Sequence, residues 1–236
     1  MTRTILATLL VALWAGSAWA STAQVTTALT EANEEAAGEE EEDTTPTLDE
    51  VIAGVERKYE KIRHMRMDFR QILRRKADPR TRRASGKIEF LRPGKMRWQY
   101  ERPERVLYVS DGDVLWSYQP EDALVYKARI EGSRLYHALR FLFGIGDLRE
   151  SFEITMGPAH GPETAYLVLT PKDGHQDYKE LALVLDRESF EISESFLVDP
   201  LGNVTHYIFD NRDYETPVAP ERFKFSPPPG VSVQEL

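Results

Sequence analysis

The chain has 236 residues, 39 of them acidic and 30 basic, and no cysteine. That excludes disulfide staples, thiol chemistry and acylation at an N-terminal cysteine. The net charge of −9 belongs to the first fifty residues, which hold ten acidic side chains and one basic, while the remainder carries 29 of each. A near-neutral folded part offers no electrostatic footprint for nucleic acid, and none is expected as a partner.

Residues 1–20 read as a secretory signal peptide. Arg3 supplies the positive start, Ile5 to Leu13 the short apolar core, and Ala18-Trp19-Ala20 a small-x-small cleavage site. The run is too short to span about 30 Å of hydrocarbon, so export with cleavage after Ala20 and a soluble mature chain are expected. Residues 21–46 contain Glu31, Glu34, Glu35, Glu39 to Glu42 and Asp43 but no Lys or Arg. They bury too little apolar area to offset ordering entropy and read as a disordered acidic tether. Residues 47–236 then form one domain, with no internal repeat.

In that domain Leu48, Ile52, Val55, Tyr59 and Ile62 recur at helical spacing, and Thr47 with Glu50 matches a capping box. A second helix is expected over Ser133 to Phe143, where Leu135, Leu139 and Leu142 share a face before Gly144. Elsewhere the apolar period is two. Strands are expected near 65–74, 85–92, 95–101, 105–110, 113–119 and 123–130, then near 151–156, 165–170, 179–186, 190–198, 203–210 and 223–225. Asp111-Gly112 and Asp199-Pro200-Leu201-Gly202-Asn203 read as turns. Short strands at this spacing predict an antiparallel meander, open or nearly closed as a barrel. The stretch from Arg74 to Arg83 reads as a basic, solvated hairpin loop; contact with anionic headgroups or an acidic partner is the alternative.

One charge sits awkwardly. Ile88 and Phe90 share a strand face with Arg92, and after Pro93-Gly94 the residues Met96, Trp98 and Tyr100 form the next apolar set. A guanidinium at the end of an apolar face either reaches solvent or holds several carbonyls of a covering segment with its five donors. Pattern alone leaves both readings open.

Several pieces of the chain, in order, resemble the periplasmic outer-membrane lipoprotein carrier (LolA-like) family. They are Lys61-Ile62 with Met65, Phe69 and Gln71, Gly86 through Arg92-Pro93 to Trp98, and Val109-Ser110-Asp111-Gly112 with Leu115-Trp116 and Tyr118. Leu169-Thr170-Pro171-Lys172 and Phe223-Lys224-Phe225 with Pro227-Pro228 and Gly230-Val231 complete the set. The resemblance implies a mainly β fold with an α lid: a single antiparallel, incompletely closed barrel covered by short helices around an apolar cavity. It also implies the partners: lipoproteins, held by their acyl chains, an inner-membrane lipoprotein-releasing ABC transporter as donor and an acceptor at the outer membrane. A periplasmic monomer is expected. Arg92 matches the family's functional arginine, which bonds lid backbone in relatives. Met96 matches a position that is commonly aromatic, and Trp98 the tryptophan two residues on. Cavity positions expected on this basis are Ile88, Phe90, Met96, Trp98, Tyr100, Trp116, Leu139 and Leu142.

Enzyme chemistry is not expected. His64, His137, His160, His175 and His206 lack HExxH spacing, and there is no G-x-S-x-G or phosphate loop. No cofactor or metal is anticipated. Two other readings share the fold: an envelope sensor of lipoproteins, and a carrier of a glycolipid or phospholipid for a dedicated exporter.

Overall fold

The computed structural model describes residues 46–130, 148–158, 161–172 and 178–236. The signal peptide, nearly all of the acidic segment and the expected helix over Ser133–Phe143 lie outside the described residues. The expected apolar stripe is helix α1, Leu48–Lys61. Thr47 accepts the Glu50 N–H, and the Glu50 carboxylate accepts the Thr47 N–H in return, so the first orphan donors are satisfied.

Twelve strands follow among the described residues: β1 His64–Arg75, β2 Asp78–Leu91, β3 Lys95–Arg102, β4 Val106–Ser110, β5 Val114–Gln119, β6 Leu124–Arg129, β7 Phe152–Met156, β8 Thr164–Pro171, β9 Glu180–Asp186, β10 Ile192–Val198, β11 Val204–Asp213 and β12 Ser232–Glu235. A short helix, α2 (Leu148–Ser151), leads into β7. The sheet order is β12-β6-β5-β4-β3-β2-β1-β11-β10-β9-β8-β7. It is open, with edges at β12 and β7, and every pairing is antiparallel except the parallel β12–β6 contact. Two antiparallel meanders, β1 to β6 and β7 to β11, are joined by β1 lying against β11.

The turns follow their side chains. Asp111 Oδ1 accepts the N–H groups of Asp113 and Val114, and Gly112 supplies a φ of +112°. The buried Asp199 carboxylate accepts from Leu201 N, Asn203 N and Asn203 Nδ2. Both are turns in which an aspartate replaces missing ladder bonds.

Two expectations are corrected. Residues 74–83 are not a loop: β1 runs to Arg75 and β2 starts at Asp78, so most of the basic residues sit on paired strands. Their charge reads as solvated sequence, yet an exposed strand tolerates arginine as readily as a loop does. Residues 223–225 are not a strand either. Phe223 ends a single 3-10 turn, Pro220–Phe223, and is buried by side-chain packing rather than by a ladder.

That turn belongs to a strap over the outer face of the sheet. It leaves β11 at Asp213, whose carboxylate accepts from Thr216 N and Glu215 N. The Thr216 backbone N–H above all holds the carboxyl down at about 2. Arg66 donates to Pro217 O and Arg222 pairs with Glu89. Phe225 packs on Trp116 and Tyr118 at 5.7 and 5.6 Å, and β12 then closes the β6 edge.

Candidate functional site

The inner face is built by alternation. In β1, Met65, Met67, Phe69 and Gln71 point one way; their partners in β2 are Phe90, Ile88, Gly86 and Ala84. Those of β2 pair in turn with Met96, Trp98 and Tyr100 of β3. Pairs directly opposite share a face, so Ile88, Phe90, Met96, Trp98 and Tyr100 come together on one apolar surface. The stripe of α1 (Val51, Ile52, Val55 and Tyr59) belongs to the same buried cluster. The helix therefore lies across the concave side and covers it. Tyr59 fixes its C-terminal half by accepting the Ile192 N–H at 3.0 Å.

Beneath the helix is an aromatic floor. Phe69 meets Trp98 at 5.4 Å and Tyr100 at 4.9 Å, both edge to face, and Trp98 meets Tyr207 at 5.3 Å. The offset and edge geometries are those favoured by ring quadrupoles. A thin polar seam runs through it: Gln71 Nε2 donates to the Tyr207 hydroxyl, which lies 3.4 Å from the Tyr100 hydroxyl. Burial raises the Tyr100 pKa well above 10 and pushes Tyr207 up to about 12. These phenols are neutral at any physiological pH. The buried Trp98 Nε1 has no hydrogen-bond acceptor among the described residues. Such a surface offers apolar area and a few uncharged donors, not a nucleophile paired with a base.

Arg92 stands at the rim, immediately after β2. Its backbone N–H donates to Arg63 O at 2.8 Å. Its guanidinium Nη1 donates to Glu60 O at 3.4 Å, in the last turn of α1. The last carbonyls of a helix lack intrahelical donors and carry the negative end of its dipole, so this is where a cation is favoured. Burial lowers the Arg92 pKa, opposed by the nearby Glu60 charge. A guanidinium nonetheless keeps its proton in proteins.

Trp116 is corrected. It pairs with Val109 in β4, which pairs with Arg97 in β3, and Arg97 alternates with Met96 and Trp98. Trp116 is thus on the outer face, against Phe225 and under the Lys127 ammonium at 5.6 Å. In β5 the apolar residues Val114, Trp116 and Tyr118 alternate with Ser117 and Gln119, and it is the apolar set that faces outward under the strap, so period two does not say which face is which. Leu139 and Leu142 lie outside the described residues. Sequence reasoning missed Tyr207, which joins the floor only through the β1–β11 pairing, 136 residues from Gln71; no local pattern signals that pairing.

The family profile described as "Outer membrane lipoprotein carrier protein LolA" matches residues 60–226. The outer-membrane lipoprotein carrier protein of Nitrosospira multiformis is 32% identical over 174 residues, covering 74% of this chain and 83% of that one. Its counterpart in Chromobacterium violaceum is 32% identical over 167 residues, with 70% and 78% covered. Among solved structures, an uncharacterized conserved protein from Thermus thermophilus superposes with a TM-score of 0.52 at 12% identity. That match covers 80% of this chain and 98% of the other, and it is a likeness of fold.

Proposed function

This chain belongs to the LolA family of outer membrane lipoprotein carriers, and we propose that it encloses lipoprotein acyl chains in the periplasm. In this reading an inner-membrane ABC transporter loads it and an acceptor at the outer membrane unloads it. Residues 1–20 direct its export and are removed after Ala20. The observation that carries the proposal is the apolar concave face, covered by α1 and tied at its rim by Arg92 to the Glu60 carbonyl.

The energetics support a carrier that exchanges cargo. Burying the four stripe residues of α1 is worth roughly 1.5–3 kcal/mol each, or on the order of 10 kcal/mol together. A buried acyl chain gains about 0.8 kcal/mol per methylene, again on the order of 10 kcal/mol for a lipoprotein chain. Helix and cargo compete for one surface with nearly equal gains, so modest interactions decide which occupies it. Ile88, Phe90, Met96, Trp98 and Tyr100 form the contested wall, with Leu139 and Leu142 proposed as further lid contacts. Arg92 is the latch, because cargo entry must break its bond to the Glu60 carbonyl of α1. Protein purified from its own periplasm should yield lipopeptide when extracted into organic solvent and analysed by mass spectrometry. Recovery of diacyl lipid alone would replace lipoprotein with another lipid as cargo.

Arg92→Leu removes the donor without removing the apolar surface. The covered state loses a charge-assisted bond worth about 1.5 kcal/mol, and by linkage cargo is held more tightly by the same amount. Release to the acceptor should slow about 10-fold, while the cargo-free protein loses about the same 1.5 kcal/mol of folding stability, too little to unfold it. A wild-type release rate would remove Arg92 from gating.

A further inference from the structure

We propose that the acidic segment preceding α1, Glu31 to Asp43, docks in cis on the cationic β1–β2 hairpin of the same chain. The hairpin exposes Arg74, Lys76, Arg82 and Arg83, with Arg75 half-buried beside them. Its local carboxylates are already engaged, since Asp78 holds Arg80 and Asp210 holds Arg70. Those five cations have no ion pair among the described residues. Strand β3 ends opposite Ser85, so among the described residues β2 from Asp78 to Ala84 also presents an open backbone edge. A concentrated positive edge of this kind repels a second sheet, and it attracts an extended polyanion.

Topology brings the two charges to one end of the sheet. The first turn of α1 is anchored there: Asp49 accepts from Arg149 of α2, just before β7. From that point the register runs strand by strand. Phe152 pairs with Pro171, Leu169 with Leu181, Glu180 with Val198, Val198 with Val204, and Val204 with Arg74. Five strand spacings of about 4.8 Å separate β7 from β1, roughly 24 Å along the sheet. Curvature shortens the direct path. Glu39 to Asp43 lie four to eight residues before Thr47, a reach of about 14–28 Å at 3.5 Å per residue, and Glu31 to Glu35 reach about twice as far.

Tethering holds the acidic run at an effective concentration in the millimolar range. Eight carboxylates facing five unpaired cations then bind multivalently, although each exposed pair is weak by itself. The attraction fades with salt, because the screening length falls from about 8 Å at 0.15 M to about 3 Å at 1 M. The docked segment covers the open edge of β2 and cancels the patch that would otherwise draw the carrier to anionic surfaces.

Lys76 makes the contact readable. Zero-length carbodiimide coupling of the exported protein at low salt should join Lys76 to Glu39–Glu42 within one chain, as detected by peptide mass spectrometry. The yield should fall at least fivefold in 1 M NaCl, and equally in an Arg74→Glu/Arg82→Glu/Arg83→Glu variant. Absence of the cross-link, or a yield indifferent to salt and to those substitutions, overturns the proposal. Cross-links that pair isotope-labelled with unlabelled chains in a mixture would assign the patch to a second copy. Binding of the wild-type protein to phosphatidylglycerol vesicles, unchanged when Glu34, Glu35 and Glu39–Glu42 are replaced by Gln, would assign it to a membrane surface. Either result displaces the intramolecular contact.

Discussion

Gly86→Val is expected to abolish the fold, and Gly86→Ala to come close. Gly86 lies mid-strand in β2, opposite Phe69 on one side and Tyr100 on the other. A Cβ there would overlap the Gln99 carbonyl oxygen of β3 and stand 2.9 Å from Phe69 Cε1. The first obstacle is backbone, so no rotamer change relieves it; β2 and β3 must part. The second is the ring at the centre of the aromatic floor. Overpacking of this kind costs on the order of 4 kcal/mol or more, against a total stability of about 5–15 kcal/mol. Alanine is the informative control. In an unobstructed strand, Gly→Ala gains roughly 0.5–1 kcal/mol, so the expected sign is reversed. A Gly86→Ala protein with a wild-type denaturation midpoint would show that the two strands do not approach this closely.

The same position shows what was legible in the sequence. Alternation from Ile88 through Tyr100 identified one apolar surface because β2 and β3 are joined by the short link Arg92-Pro93-Gly94, which fixes their register locally. Helix α1 was legible to within a residue, since capping and stripe are both local properties. The closure of β1 on β11 was not, because it joins segments separated by most of the domain. The outer strap was also hidden. Phe223-Lys224-Phe225 alternates as a strand would, but Pro220 withholds a ladder donor and the segment lies flat against side chains. Hiding the strap in turn hid the face of Trp116, since the apolar half of β5 faces the strap while Ser117 and Gln119 lie on the inner side. Arg92 was legible as an anomaly, a charge at the end of an apolar face; its partner at Glu60 required the helix to be placed.

The strap depends on one carboxylate, and Glu89→Ala should cost about 2–3 kcal/mol. Glu89 is only 12% exposed and lies among three guanidiniums. Arg222 Nε donates to its Oε2 at 2.7 Å, Arg66 Nε is 3.4 Å from Oε1, and Arg97 Nε is 4.0 Å from Oε2. They border a polar recess of about 480 Å³ between strap and sheet. Burial and the neighbouring Arg222 charge lower the Arg97 pKa, and Glu89 opposes both. Deleting a partly buried counter-charge leaves the others uncompensated, at about 3–5 kcal/mol when fully buried. The arginines here are 22–47% exposed, so solvent reduces that figure. Arg222 also binds the strap to the sheet, with Arg97 donating to its carbonyl. Amide exchange should therefore rise first over residues 214–225 and the β12–β6 contact, before the inner face responds. Because the residual interaction is repulsion among cations, 1 M salt should restore part of the loss, and Glu89→Gln combined with Arg222→Gln should restore more. A Glu89→Ala protein with wild-type stability and unchanged exchange over the strap would refute this account and leave Phe223 and Phe225 packing as what holds the segment down.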